Sequence, residues 1–215
     1  MIIMMKVYDS DNKLSDINVI DGLVYELYDE SSNLIIHLPC SFKKTKIRVG
    51  KKCTVELGAG IVVKKSLTIY TKNHHRVSIG NNFNVRSAEI VCRSEPKTFV
   101  EIGNDVLASS ELVIRASDAH TVYDCGTKMP INCPKSGVKI GNHVWIGQRV
   151  TLLKDVIIPN NCVISLGAIV TSRKFEDNSI IAGVPAKTIK SNINWSPYNT
   201  FNYCKINNIN RDKII

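Results

Sequence analysis

No stretch of the chain approaches eighteen uninterrupted apolar residues, so nothing in it reads as a transmembrane helix. The opening, MIIMMKVYDSDNK, has too short an apolar run for a secretory leader and no cleavage pattern after it. Paired cysteines are missing as well. The seven cysteines are odd in number and contain no CxxC, which argues against a disulfide framework or a zinc site and for free thiols in a reducing compartment. Basic residues never run to five or six together, and no basic motif is interleaved with aromatics, so a nucleic-acid partner is not expected. Lys and Arg nevertheless outnumber Asp and Glu by 28 to 19, a net charge of +9, and that excess attracts polyanions such as a phosphorylated cofactor or an acidic polysaccharide. These absences lead us to expect a cytoplasmic, soluble protein of 215 residues with one well-buried domain and no metal.

What is present is a period. From Ile140 to Val170, one phase of a six-residue repeat holds Ile140, Ile146, Leu152, Ile158, Ile164 and Val170, and a second holds Val144, Val150, Val156, Cys162 and Ala168. All eleven are apolar. At 44% hydrophobic content that coincidence arises about once in ten thousand trials. Six is neither the 3.6 of a helix nor the plain alternation of a two-faced strand. It suits a triangular solenoid in which each hexad is a short strand plus a corner and three hexads close a coil. A sandwich with strands six apart is the alternative, but sandwiches do not hold strict phase over six repeats.

Away from that stretch the phase comes and goes. Residues 1–45 lack it; Leu23 to Tyr28 and Leu34 to Leu38 read as ordinary strands that cap the solenoid's open end. Residues 46–190 form the solenoid, with Val49, Val55, Ile61 and Leu67 in phase, a polar Asn73 in the next slot, then Ile79, Val85 and Val91, and after a break Ile102, Ala108 and Ile114. The loop 117–137, inside the segment RASDAHTVYDCGTKMPINCPKSGVK, stands outside the repeat, and long loops on rigid scaffolds are disproportionately functional. A polar tail, 191–215, either packs on a neighbouring subunit or frays.

The segments IGNHVWIG, VTLLKDVIIPNNCVISLGAIVTS and IIAGVPAKTIK resemble the hexapeptide-repeat acyltransferases, in the branch of maltose, galactoside and capsule-polysaccharide O-acetyltransferases. The resemblance implies an all-β fold, a left-handed parallel β-helix, in place of the usual right-handed crossover. It implies acetyl-CoA as co-substrate, and a capsule or surface polysaccharide, sialic-acid polymers included, as acceptor. TVYD after His120 and NINW near the end are similar to the capsule subgroup. A homotrimer with active sites between subunits follows by the same analogy.

Acetyl transfer to a sugar hydroxyl needs a base, a donor to the developing oxyanion and a slot for the thioester. Imidazole is the natural base near neutral pH. Of His37, His74, His75, His120 and His143, only His120 stands at the start of the long loop, in SDAH, which resembles the segment carrying the family's catalytic histidine. Asp118, two residues earlier, either orients that ring or is a solvated corner residue. Trp145, in a non-core slot, resembles the aromatic wall of the donor channel, and a backbone amide there is a candidate for the oxyanion; subunit packing is its alternative role. For coenzyme A, the resemblance adds Gln148, Ala168, Thr171, Arg173, Lys187 and Lys190. Ser172 stands where the family has Lys, so Arg173 or Lys174 is the substitute phosphate contact. A covalent route through Cys125 or Cys133 lacks a neighbouring base in sequence. The competing classes are a metal-dependent lyase of the γ-carbonic-anhydrase kind, which needs three converging histidines, an antibiotic acetyltransferase, and a non-catalytic solenoid.

Overall fold

The computed structural model describes residues 5–95, 98–171 and 175–210. The chain winds as a left-handed parallel β-solenoid of about seven turns, and the hexads make its three faces. On the first lie Asn33–His37, Thr54–Leu57, Arg76–Ile79, Phe99–Ile102, Val138–Ile140 and Ile157–Ile158, each paired in parallel with the next. Leu107–Ala108, Trp145–Ile146, Val163–Ile164 and Ile180–Gly183 stack on the second. Leu23–Leu27, Thr45–Val49, Leu112–Arg115, Thr151–Leu152 and Ile169–Val170 belong to the third. Two long strands, Ile61–Thr71 and Asn84–Cys92, bend from the second face into the third, which joins those faces into one thirteen-stranded sheet.

All eleven phased residues between Ile140 and Val170 point inward and are buried, as are the earlier phased positions from Val49 to Ile114 apart from exposed Asn73 and from Val91, which is covered but faces outward while its neighbour Ile90 fills the interior. Burying one aliphatic side chain per hexad on each of three faces fills the triangular interior, and β-branched residues suit that stack.

The N-terminal segment differs from the expected separate cap. Leu23–Leu27 and Asn33–His37 pair in parallel with the strands that follow and are coils of the solenoid itself. Lys6–Tyr8 also pairs in parallel, with Asn33–His37, and Leu14–Ser15 departs from that pattern by pairing antiparallel with it at the edge of the first face. The six-residue phase was hidden there because the early coils are longer. Leu34 pairs with Val55, Val55 with Val77, and Val77 with Val100, steps of 21, 22 and 23 positions, against 18 from Lys139 to Ile157.

One corner carries a ladder. The side-chain oxygens of Asn81, Asn104, Asn142, Asn160 and Asp177 accept from the backbone N–H of Ala59, Asn81, Asn104, Asn142 and Asn160, each one coil back, at 2.7–2.9 Å. The glycine before four of the five donors, Gly58, Gly80, Gly103 and Gly141, lets the coils approach this closely. A methyl group on Gly103 would lie 2.6 Å from Asn142 Oδ1 and 2.7 Å from the Gly141 carbonyl, contacts that force a shift. Gly103→Ala should therefore lower stability by about 1–3 kcal/mol, read as a fall in the denaturant midpoint; an unchanged midpoint would mean that the corner opens freely.

After the solenoid, Ile180–Gly183 and Ala186–Lys190 form an antiparallel hairpin over the AGVPAK motif. The tail does not fray within the described residues. Ile193 exchanges backbone and side-chain bonds with Asn178, and a helix, Thr200–Ile206, is capped by Asn199 and buries Cys204. Among the described residues no helix is long and apolar enough to cross a membrane.

Candidate active site

The long loop leaves the third face after Leu112–Arg115 and re-enters the first at Val138–Ile140. It is a built hairpin. Tyr123 bridges Pro130, the amides of Asp124 and Ile131 donate to Met129 and Val122, and the Asp124 carboxylate ties the tip by accepting from the Gly126 and Thr127 amides. Two adjacent residues of the next coil hold its feet. Lys154 pairs with Asp118 on the outgoing leg, and Asp155 Oδ1 accepts from the Lys135 and Ser136 amides on the returning leg at 2.8 and 2.7 Å.

His120 stands at the outgoing foot, exposed, and its ring has no hydrogen-bond partner among the described residues. Ala119 before it is held at φ 68°, a left-handed conformation that a non-glycine residue adopts at some cost. Asp118 does not orient the imidazole. Its Oδ2 takes Lys154 and, at 2.9 Å, the Asn132 amide, and the same Asn132 nitrogen donates to the His120 carbonyl at 2.8 Å. Asp118 thus fixes the backbone that carries His120, its charge matched by the Lys154 ammonium and its other bond made through Asn132. The Lys154 ammonium holds the Asp118 carboxyl below the usual aspartate range, and the Asn132 amide adds in the same direction against slight burial.

Folding lowers this pKa, so the clamp stabilises the loop above the ordinary aspartate value of about 3.9 and its contribution disappears as pH falls through the depressed folded value. Asp118→Asn should release the loop at neutral pH, visible as faster amide exchange at Val122 and Ile131. Exchange equal to the parent would mean that Asn132 and Asp155 suffice.

Trp145 lies on the second face, 43% exposed, with its ring centroid 6.2 Å from that of Trp195 in the tail. Trp195 stacks on His143 at 4.4 Å, donates its indole N–H to the His143 carbonyl at 2.8 Å, and lends its own carbonyl to His143 Nε2 at 3.2 Å. This locks His143 into packing and away from the loop. Sequence reasoning marked Trp195 only through the NINW segment, and nothing local in that segment signals its contact with His143 and Trp145. The Trp145 amide is bonded to the Cys162 carbonyl at 2.9 Å, so it is not a free oxyanion donor, but the indole N–H has no partner among the described residues.

A groove of about 880 Å³ opens beside this pair, lined by Trp145, Val163, Ile180, Lys190, Trp195 and Tyr203. Of the positions expected to hold coenzyme A, Trp145 and Lys190 come together here. The others are dispersed. Gln148 sits at a corner with its amide on Glu111 at 3.3 Å, Thr171 follows the third-face strand Ile169–Val170, and Lys187 is exposed on the terminal hairpin. Ala168 offers no contact: its side chain is wholly buried, its carbonyl accepts from Thr151, and its N–H donates to Ser165, because an in-phase apolar residue turns inward. Arg173, with Ser172 and Lys174, lies outside the described residues.

Within one chain His120 and Trp145 are not brought together, since one leaves the corner after the third face and the other sits on the second. Among the described residues no three His, Cys, Asp or Glu side chains are grouped so that they could hold a metal ion. Cys125 and Cys133 are exposed free thiols on the loop.

No family model matches the chain. Among curated proteins it is similar to the polysialic acid O-acetyltransferase of Escherichia coli O1:K1, 33% identical over 150 residues, a match covering 70% of this chain but 44% of that protein. A second relative is WbbJ of Escherichia coli K12, named for O-acetyl transfer in lipopolysaccharide biosynthesis, 28% identical over 73% of this chain and 78% of its own. Among solved structures, the polySia-specific acetyltransferase NeuO shares the fold, with a TM-score of 0.50 at 23% identity over 91% of this chain and 90% of that one. The ordered hexads, the long loop at a coil's end and these similarities make the chain a relative of O-acetyltransferases on a β-solenoid fold, spanning less than half the length of the first of them.

Proposed function

We propose that the protein moves an acetyl group from acetyl-CoA to a hydroxyl of a capsule or surface polysaccharide, an acidic one in particular. The observation that carries this reading is a histidine whose imidazole has no partner among the described residues, fixed by its backbone at the foot of a clamped loop, in a chain related to O-acetyltransferases. His120 takes the proton of the acceptor hydroxyl and returns it to the departing thiol, so no charge accumulates over the cycle. The indole N–H of Trp145 donates to the carbonyl oxygen as it gains charge. Beside Trp145, the apolar walls of Val163 and Ile180 suit the pantetheine arm, and Lys190 supplies a cation for phosphate. His120 and Trp145 lie on different faces, so a complete site takes one from each of two neighbouring subunits of a trimer.

The reaction class is tested by following free thiol released from acetyl-CoA against acidic and neutral oligosaccharides. Release that requires an acidic acceptor is expected. Thiol release that ignores the acceptor, or none with any of them, would overturn the assignment.

A further inference from the structure

The third face of the early coils carries a trough that the acetyl-transfer reading does not use. Strand register places Glu26, Arg48, Tyr70, Val91 and Arg115 one above another in an outward column. At about 4.8 Å per coil, Arg48 and Arg115 lie about 14 Å apart along the axis. Three depressions, of about 490, 400 and 240 Å³, flank this column and merge: the first two share Arg48 and Tyr70, the first and third share Lys72 and Asn73, and the second and third share Arg93.

The lining is strongly unbalanced in charge. Lys46, Arg48, Lys51, Lys72, Arg93 and Arg115 face only Glu26 and Glu89. Glu26 is shared by Lys46 at 3.3 Å and Arg48 at 2.8 Å, and Glu89 takes Arg115 at 2.8 Å. Lys51, Lys72 and Arg93 have no carboxylate within ion-pair distance among the described residues. Arg93 instead lies over the Tyr70 ring, 5.3 Å from its centroid, which holds the guanidinium in place along the trough.

Position gives the trough a direction. Arg115 ends its strand two residues before the loop begins, so the upper end opens at the foot that carries His120. A long, shallow, cationic surface suits a linear polyanion better than a compact ligand. A nucleic acid would want several uncovered rings on which to stack bases, whereas of the two tyrosines lining the trough Tyr70 lies under Arg93 and Tyr28 alone is uncovered.

We propose that this trough is a docking track for an acidic polysaccharide, holding the polymer several sugars away from the hydroxyl that reacts. The proposal rests on the acetyl-transfer reading only for what happens at the upper end; the track itself binds without a donor. Binding is therefore measured on the full chain with His120→Ala and no acetyl-CoA, using long oligomers of sialic acid, dextran of matched length and a single-stranded oligonucleotide as probes.

The triple substitution Arg48→Gln, Arg93→Gln, Arg115→Gln should weaken sialic acid oligomer binding by about tenfold or more at 0.15 M salt. A second variant, Lys51→Gln with Lys72→Gln, removes two exposed side chains that make no hydrogen bond or ion pair among the described residues, and should weaken binding in the same direction if the first variant proves unstable. Unchanged affinity in both well-folded variants overturns the track. So does an equal loss with dextran, or an oligonucleotide that binds as tightly and loses the same factor, which would reduce the trough to unspecific charge. Intact binding by a protein that never turns over would sink the acetyl-transfer reading and leave the track standing.

Discussion

Replacing His120 by alanine should lower acceptor-dependent thiol release by about a hundred- to ten-thousand-fold, the range a positioned general base contributes. The loss should come without a loss of fold. The His120 side chain is exposed and its ring makes no bond among the described residues, so its removal leaves the hairpin, the Lys154–Asp118 pair and the Asn132 bridge in place. Asn132 grips the His120 carbonyl, which alanine retains. Melting temperature and loop amide exchange should therefore match the parent. Turnover within threefold of the parent would remove His120 from the mechanism, and the free imidazole would then belong to acceptor binding or to nothing.

A larger change of state is expected on mixing two inactive proteins. If a site draws His120 from one subunit and Trp145 from the next, trimers assembled from His120→Ala and Trp145→Ala chains contain some sites in which both intact residues meet. With random assembly about one site in four is whole, so co-folded mixtures should recover about a quarter of the parent's activity from two preparations that have almost none. His120 follows the third face, Trp145 is fixed on the second, and the coil between them is packed solid with Ile114, Ile146 and Val150. Recovery absent from mixtures shown to contain mixed trimers would place both residues of each site in a single chain, or remove Trp145 from it.

The solenoid was legible because its physics is periodic. Each in-phase residue repeats the same demand, an apolar side chain pointing into a shared interior, and the eleven positions from Ile140 to Val170 could be read without reference to any partner. The early coils obeyed the same rule with steps of 21 to 23 positions, so their phase drifted and a cap was expected where coils stand. His120 was marked by its place at a break in the period. Its supports were not. Lys154 and Asp155 occupy ordinary corner slots of LLKDVI and acquire meaning only because the loop folds back onto that corner. Asp118 illustrates the limit of spacing arguments: two residues from His120 on paper, it is claimed by a lysine 36 positions away. Trp195 met His143 across 52 positions, a pairing that no local pattern encodes.

The asparagine ladder bears on how such proteins change what they act upon. The rung from Asn104 to Asn142 spans 38 positions and closes at 2.7 Å; the next, from Asn142 to Asn160, spans 18 and closes at 2.8 Å. Twenty extra residues have been inserted into one turn without moving its neighbours, so the scaffold does not register what is plugged into it. Lys154 and Asp155 are then a socket, and the hairpin a cartridge. A different cartridge that keeps an acidic residue at the outgoing foot and free amides at the returning one would inherit the same seat, so acceptor preference can diverge while the stacked coils stay as they are.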